Sequence, residues 1–215
     1  HMISGHRKKH MKCIVVSGGK VYALGTMGEL WCLNAADGKV LWSKNFIKDC
    51  DARVPIWGWA ASPLLDGNNL ICIVGGKDAV TVAFDKDTGK EVWKTKLGEI
   101  NRGETMTMAP LVVKNKVLVG NSGGEMGVRG WISALDVATG KLLWRAYSTG
   151  PDADCLIGPD FKPFYAMDRG KDLGVKTWPP DAWKIGGGTV WGWISYDPEL
   201  NLIYHGTANP GPWNP

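Results

Sequence analysis

Apolar positions along this chain fall in short runs punctuated by turn residues. Leu111 to Val113 and Lys116 to Gly120 are separated by Lys114-Asn115, and two comparable short runs precede each of the hairpins described below. Runs this short, rich in β-branched residues and bounded by Gly, Asn and Asp, predict strands. A helical repeat fails because Gly-Lys interrupts the apolar pattern at hairpin spacing.

The pattern repeats. Cys32-Leu33-Asn34-Ala35-Ala36-Asp37-Gly38-Lys39-Val40-Leu41-Trp42 aligns with Ala83 through Thr88-Gly89-Lys90 to Trp93, and with Ala134 through Thr139-Gly140-Lys141 to Trp144. Trp42, Trp93 and Trp144 are spaced 51 residues apart, twice. Each unit is an apolar run, a turn built on Asn or Asp with Gly, and a second run ending in Trp, which is a hairpin. With the two runs before it, each unit has about four strands, which fits one propeller blade. The fold expected is all-β, a partial β-propeller of about three and a half four-stranded blades. The blades lie at about 13–46, 55–97 and 105–147, with the first two strands of a fourth at Thr189 to Tyr196 and Leu200 to Gly206. Each repeat Trp is expected to pack between neighbouring blades.

The organisation expected is a disordered or appended tail at 1–12, two blades over 13–97, and further blades over 98–215 with a long excursion at 148–187. The excursion is rich in Pro, Asp and Gly, and loops that long are usually functional or mobile. Because a propeller closes with about four to eight blades, the chain is expected to be part of something larger. Its open sheet face should favour self-association or association with missing blades.

Composition narrows the classes. Hydrophobic residues are 44% and charged residues 21% of the 215, a globular balance, and no apolar run approaches the roughly 18 residues of a membrane span. The net charge of +4 owes much to Arg7, Lys8, Lys9 and Lys12, a basic tail and not a nucleic-acid surface. Twelve Trp and 29 Gly are the outliers. Cys13, Cys32, Cys50, Cys72 and Cys155 form neither a Cys-x-x-Cys pair nor a zinc-finger spacing, and Cys13, Cys32 and Cys72 read as small buried hydrophobes. His1, His6 and His10 read as part of the tail or as a metal tract. No apolar signal core follows the start, which leaves the compartment open.

Two loops carry candidate chemistry. Val119-Gly120 runs into Asn121-Ser122-Gly123-Gly124-Glu125-Met126-Gly127-Val128-Arg129-Gly130, and Tyr204-His205-Gly206 runs into Thr207-Ala208-Asn209-Pro210. If blades superpose, Glu125 and Asn209 leave the same end of adjacent blades. A carboxylate and an amide oxygen are hard donors suited to Ca²⁺ or a similar cation, although two ligands cannot fill its six to eight positions. Singly, Glu125 reads equally as a solvated turn carboxylate, and Asn209 before Pro as an ordinary turn former. The glycines around Glu125 lack the Gly-Lys-Ser/Thr ending of a nucleotide loop. Gly186-Gly187-Gly188-Thr189-Val190-Trp191 adds a close-approach backbone followed by an aromatic plate on which a flat ligand could stack.

From about residue 100 to 215 the chain resembles the large subunit of pyrroloquinoline quinone (PQQ)-dependent alcohol dehydrogenases, the methanol dehydrogenase-like quinoproteins. The motifs that carry the resemblance are Gly120 through Gly130, Trp183-Lys184-Ile185-Gly186-Gly187-Gly188-Thr189-Val190-Trp191-Gly192-Trp193, and Gly206-Thr207-Ala208-Asn209-Pro210-Gly211-Pro212-Trp213-Asn214. Residues 13–97 resemble generic PQQ-like repeats. The resemblance implies an eight-bladed parent propeller with PQQ over its axis. It implies Glu125 and Asn209 as ligands of Ca²⁺ or a lanthanide, Trp191 as the floor under the quinone, and Thr107, Ser122, Gly123, Gly124 and Thr189 as cofactor contacts. It further implies a small primary alcohol as substrate, a cytochrome c as electron acceptor, and a periplasmic location. The family's adjacent Cys pair is missing, and its catalytic Asp lies downstream of the Asn-Pro motif, so no catalytic base is expected within this chain. A non-catalytic propeller serving as a binding or scaffold module is the alternative reading.

Overall fold

The computed structural model describes residues 11–56, 58–162, 167 and 170–211. Most of the expected tail, and Pro212-Trp213-Asn214 of the third motif, lie outside the described residues. The chain divides into two compact units, residues 1–96 and 97–215.

The first unit holds two four-stranded antiparallel sheets. Strands β1 (Met11–Ser17), β2 (Lys20–Gly25), β3 (Glu29–Asn34) and β4 (Val40–Asn45) form one sheet, and β5 (Leu64–Asp66), β6 (Asn69–Ile73), β7 (Thr81–Asp85) and β8 (Glu91–Thr95) the other. A short helix, α1 (Phe46–Cys50), follows β4. Asn45 caps it by accepting the Ile47 and Lys48 amides at 3.1 Å each. The second sheet begins nine residues later than the sequence pattern predicts, at 64 and not 55. Pro55 and Pro63 lie in the intervening segment and have no N–H to give a ladder.

The core of this unit is the packed faces of its sheets, with Tyr22, Leu30, Phe46, Leu70, Val82 and Phe84 buried. Phe46 stacks on Phe84 with centroids 6.3 Å apart, and the edge of Trp59 meets Phe46 at 5.8 Å. Cys13, Cys32 and Cys72 are buried in this core, as their apolar neighbours predict, and all five thiols are free. Burial pushes the Cys50 thiol up to about 11 and the Tyr22 hydroxyl to about 12, so both are neutral at pH 7.

In the second unit β9 (Leu111–Val113), β10 (Lys116–Gly120), β11 (Trp131–Asp136) and β12 (Leu142–Tyr147) form a third four-stranded sheet. The fourth is two-stranded, from β13 (Ile194–Asp197) and β14 (Leu202–His205), both shorter than the sequence pattern predicts. Thr189 and its neighbours turn instead to other loops, described below. Trp144 packs with Ile194, Tyr196 and Ile203 of the half-blade against Val113, Leu118 and Ala134. The excursion contains α2 (Leu173–Lys176) and a 3₁₀ turn at Ala182–Ile185. Asp152 and Asp172 close it reciprocally, each carboxylate accepting the other's backbone N–H at 3.0 Å.

The repeated hairpin has one geometry throughout. Gly38, Gly89 and Gly140 adopt φ of 72°, 69° and 70°, and each donates its N–H to the carbonyl of Asn34, Asp85 or Asp136 at 2.9, 2.8 and 2.8 Å. A register shift falls at Cys32/Leu33, Ala83/Phe84 and Ala134/Leu135, the same place in each unit. The bulge and the left-handed glycine together turn the strand back. Asp85 Oδ1 accepts from the Asp87 amide, the Thr88 amide and the Thr88 hydroxyl at 3.1, 2.7 and 2.8 Å. Asp136 does the same with Ala138 and Thr139. Within the first unit Trp42 crosses from one sheet to the next, its Nε1 donating to the Lys86 carbonyl at 3.0 Å. Its ring covers Gly89 so closely that a Cβ there would stand 2.8 Å from it.

A Cβ at Gly38 would meet nothing within 4 Å, so Gly38→Ala costs only the left-handed backbone term, about 1–2 kcal/mol. Gly89→Ala costs that plus displacement of Trp42, at least about 1 kcal/mol more by urea denaturation; equal costs would mean that the ring contact is not made. Hydrogen bonds from Thr88 and Thr139 hold Asp85 and Asp136 below the ordinary carboxylate range. With the folded value below the unfolded one, this stabilisation is complete above about pH 4 and is lost as pH falls through the folded value. The double variant Asp85→Asn, Asp136→Asn keeps acceptor oxygens that do not titrate. Its urea midpoint should therefore fall less than wild type's between about pH 4 and pH 2, and parallel curves would contradict this.

Candidate functional site

The loop after β10 is shaped by what its glycines leave out. Asn121 is fully buried and staples the loop's two ends, its Nδ2 donating to the Arg129 carbonyl at 3.0 Å and its Oδ1 accepting the Trp131 amide at 2.8 Å. Between the staples lies one 3₁₀ turn, Gly124–Met126, flanked by Gly123 and Gly127 at φ 101° and 79°. The Gly127 amide reaches the Gly124 carbonyl at 3.1 Å and Val128 closes back on Gly123. Glu125 sits exposed on this turn. A Cβ on Gly123 would overlap the Gly103 carbonyl, so the loop rests directly on the chain preceding β9.

Gly186-Gly187-Gly188-Thr189 runs between two other segments and bonds to both. On one side the Gly130 amide donates to the Gly187 carbonyl at 2.7 Å, and Arg129 and Gly187 form a parallel bridge. On the other, the Gly188 amide donates to the Asn209 carbonyl at 3.0 Å, the Ala208 amide to the Thr189 carbonyl at 2.8 Å, and the Gly211 amide to the Gly186 carbonyl at 2.8 Å. Gly187 and Gly188 take φ of 63° and 67°. A Cβ at Gly187 would lie 2.6 Å from the Asn209 carbonyl oxygen, and one at Gly130 would overlap the Gly188 carbonyl. The Glu125 turn touches the same seam: a Cβ at Gly124 would stand 3.3 Å from Gly187 Cα, and one at Gly211 would stand 3.3 Å from the Gly124 carbonyl oxygen.

The backbone segments that carry Glu125 and Asn209 therefore meet on one glycine run, and both residues are exposed. Thr107 and Ser122 are also brought together, their hydroxyls 2.7 Å apart. Ser122 is held by a backbone pair with Thr105, its amide donating at 2.7 Å. Thr189 is buried with its hydroxyl against Gly124. Trp191 keeps an open face, at 56% exposure, and Trp193 is 90% exposed. Neither of two shallow grooves of about 430 and 380 Å³ along the half-blade is lined by any of these residues. Among the described residues no cluster of three or more His, Cys, Asp or Glu side chains is placed to hold a metal. A cation here would take one carboxylate and one amide oxygen from the protein, leaving positions that a polycarboxylate ligand could fill.

Arg129 and Glu104 were not singled out by the sequence reading. The Arg129 guanidinium donates twice to the Thr149 carbonyl and once to Asp154 Oδ2 at 2.8 Å. It also lies 3.9 Å from the Tyr147 ring centroid and 4.6 Å from that of Trp183. Glu104 accepts the buried Trp131 Nε1 and the Glu99 amide. The usable signal for Arg129 was a lone charge between Val128 and Gly130. Nothing local in the sequence marks Glu104, whose indole partner Trp131 is 27 residues away.

The PQQ_2 family model, described as outer membrane protein assembly factor BamB, matches residues 4–158. The chain is 56% identical over 137 residues to the lanthanide-dependent methanol dehydrogenase of Methylacidiphilum fumariolicum, covering 64% of this chain and 22% of that protein. It is 51% identical over 186 residues to methanol dehydrogenase (cytochrome c) subunit 1 of Paracoccus denitrificans, covering 82% of this chain and 29% of that one. Among solved structures, a europium-containing methanol dehydrogenase superposes with a TM-score of 0.80 at 37% identity, over 97% of this chain and 38% of its own. The chain thus spans well under half the length of these relatives.

The seam makes a prediction of its own. Gly187→Ala should drive the Asn209 segment off the glycine run while the four-stranded sheet stays folded. In hydrogen exchange the Gly188 and Ala208 amides should then lose protection by at least about tenfold, with β10 and β11 amides unchanged; retained protection at Ala208 would contradict this.

Proposed function

Because the chain belongs to the PQQ_2 propeller family and is homologous to methanol dehydrogenase subunit 1, we propose that it supplies the cofactor- and cation-holding part of a PQQ-dependent alcohol dehydrogenase. Glu125 and Asn209 hold Ca²⁺ or a lanthanide through a carboxylate and an amide oxygen. The hydroxyls of Thr107 and Ser122 and the backbone of Gly123 and Gly124 would hold the quinone's carboxylates, the buried Thr189 hydroxyl backs Gly124 from behind, and the exposed Trp191 would stack against the flat ring. When bound, the quinone supplies a two-electron acceptor and the cation a Lewis acid for oxidation of a small primary alcohol to an aldehyde.

The chain's own contribution is orientation. The observation that carries the reading is the glycine seam, which sets the Glu125 turn and the Asn209 segment against one backbone. Thr107 and Ser122 are hydrogen-bonded to each other, so one of the pair keeps an O–H that can donate to a carboxylate. The proton-accepting base of the reaction is not one of these residues. The same reading places the protein in the periplasm with a c-type cytochrome as electron acceptor. Further strands, from additional blades or a second copy, pair along the β13–β14 sheet, where Leu202 and Tyr204 are exposed. The scaffold reading draws on the BamB-type family match over residues 4–158, which runs through the first unit and on past the Glu125 loop. Among the described residues no helix is long and apolar enough to cross a membrane.

Absorbance titration with PQQ in the presence of Ca²⁺ or Tb³⁺ tests the assignment. Glu125→Ala should weaken quinone binding by at least about tenfold in a cation-dependent way, comparable to damage at a metal shell. Trp191→Ala should weaken it by up to about tenfold without altering the cation dependence. Equal binding by wild type and Glu125→Ala would remove the site and leave the scaffold reading.

A further inference from the structure

Glu125 is exposed on a turn and Asn209 on an extended segment, so the separation of their side chains depends on whatever holds those two segments. Arg129 is placed to do this. Its backbone pairs with Gly187, and the next amide, Gly130, donates to the Gly187 carbonyl at 2.7 Å, so it ends the Glu125 loop on the seam itself. Its side chain, 14% exposed, reaches the other flank. The guanidinium bonds the Thr149 carbonyl, and the Thr149 hydroxyl donates to the Trp183 carbonyl at 3.0 Å. The Gly186 amide donates to that same Trp183 carbonyl at 3.2 Å, which is where the glycine run begins. The guanidinium carbon lies over both the Tyr147 and the Trp183 rings, and Asp154 takes a third N–H.

A guanidinium suits this position for reasons an ammonium does not share. It donates in a fixed planar fork while offering its faces to aromatic rings, so one group can fix a carbonyl, a carboxylate and two rings at once. Gly150 makes room for it, since a Cβ there would overlap the guanidinium and lie 2.6 Å from the Trp183 ring. We propose that Arg129 is a positioning residue that clamps the start of the Gly186–Gly188 run to the end of the Glu125 loop, and so sets how tightly and how completely the cation is ligated. This rests on the reading of Glu125 and Asn209 as cation ligands.

The experiment uses the full chain and Tb³⁺ alone as probe, with tryptophan-sensitised luminescence for affinity and lifetimes in H₂O and D₂O for the number of coordinated waters. Arg129→Lys keeps the charge and loses the fork and the stacking. It should bind Tb³⁺ about tenfold more weakly than wild type, with at least one additional coordinated water as a protein ligand swings away. A loss of stability alone would reduce the bound fraction and leave the lifetime of the bound ion unchanged, and that result overturns the proposal. Glu125→Ala separates the two readings. If it weakens Tb³⁺ binding and Arg129→Lys does not, the ligand assignment stands and the Arg129 role is wrong. If Glu125→Ala changes nothing, both are wrong. Should Arg129→Lys fail to fold, Tyr147→Leu removes one stacking ring only. Its expected result is about threefold weaker binding with a shortened lifetime in H₂O, and wild-type values would overturn the proposal.

Discussion

The close approach of three backbones at Gly186–Gly188 is the constraint on which the candidate site depends. Residues on either side need to come within hydrogen-bonding distance of that run, and a Cβ at Gly187 or Gly130 would meet a carbonyl before they could. Glycine is required here for space as much as for its left-handed torsions. What results is a short irregular sheet, bonded at Gly130, Gly188, Ala208 and Gly211, whose two outer members each lead to an exposed polar residue. The strands of the blades supply rigid starting points, Gly120 at the end of β10 and His205 at the end of β14. The seam carries that rigidity out to the loop tips.

The blades themselves are held by a different device. In each repeat a bulge, a left-handed glycine and a side-chain acceptor at the first turn position act together, and the acceptor makes more bonds where it is Asp followed by Thr than where it is Asn34. These turns are solvent-exposed, so each bond contributes modestly, and the larger share of stability comes from apolar faces such as the Phe46–Phe84 stack. Trp42 shows how one residue joins the two scales, because its indole N–H satisfies a carbonyl of the neighbouring turn while its ring buries the turn's glycine.

Much of this was readable from the amino-acid order. Strand pattern and hairpin type follow from local residues, and the 51-residue spacing of Trp42, Trp93 and Trp144 exposes the blade repeat directly. The irregular parts were less legible, for a physical reason: Thr189 to Gly192 has strand-like composition, yet its neighbours are decided by Ala208 and by the glycines before it, so β13 begins only at Ile194. The late start of β5 was local and could have been read from Pro55 and Pro63. At the site, the residue types at Glu125, Asn209 and Trp191 could be picked out because they are chemically unusual for turns. Arg129 and Glu104 could not, since their importance lies in partners 18 to 54 residues distant for the first and 27 for the second.

The division of labour between these groups has a thermodynamic basis. Ordering glycine costs more conformational entropy than ordering any other residue, and each backbone hydrogen bond returns only about 1 kcal/mol net. A glycine run that must stay fixed therefore needs anchors with larger individual contributions. Thr189 supplies one by burial immediately after the run, and the buried Val190 that follows it another. Arg129 supplies the third, because charge-assisted bonds are roughly twice as strong as neutral ones and a largely buried guanidinium gains more from its aromatic neighbours than an exposed one would. Glycines that give the backbone its reach and anchors that take away its freedom are thus two halves of one requirement. A loop with only the first would bring Glu125 and Asn209 near the seam without holding them there.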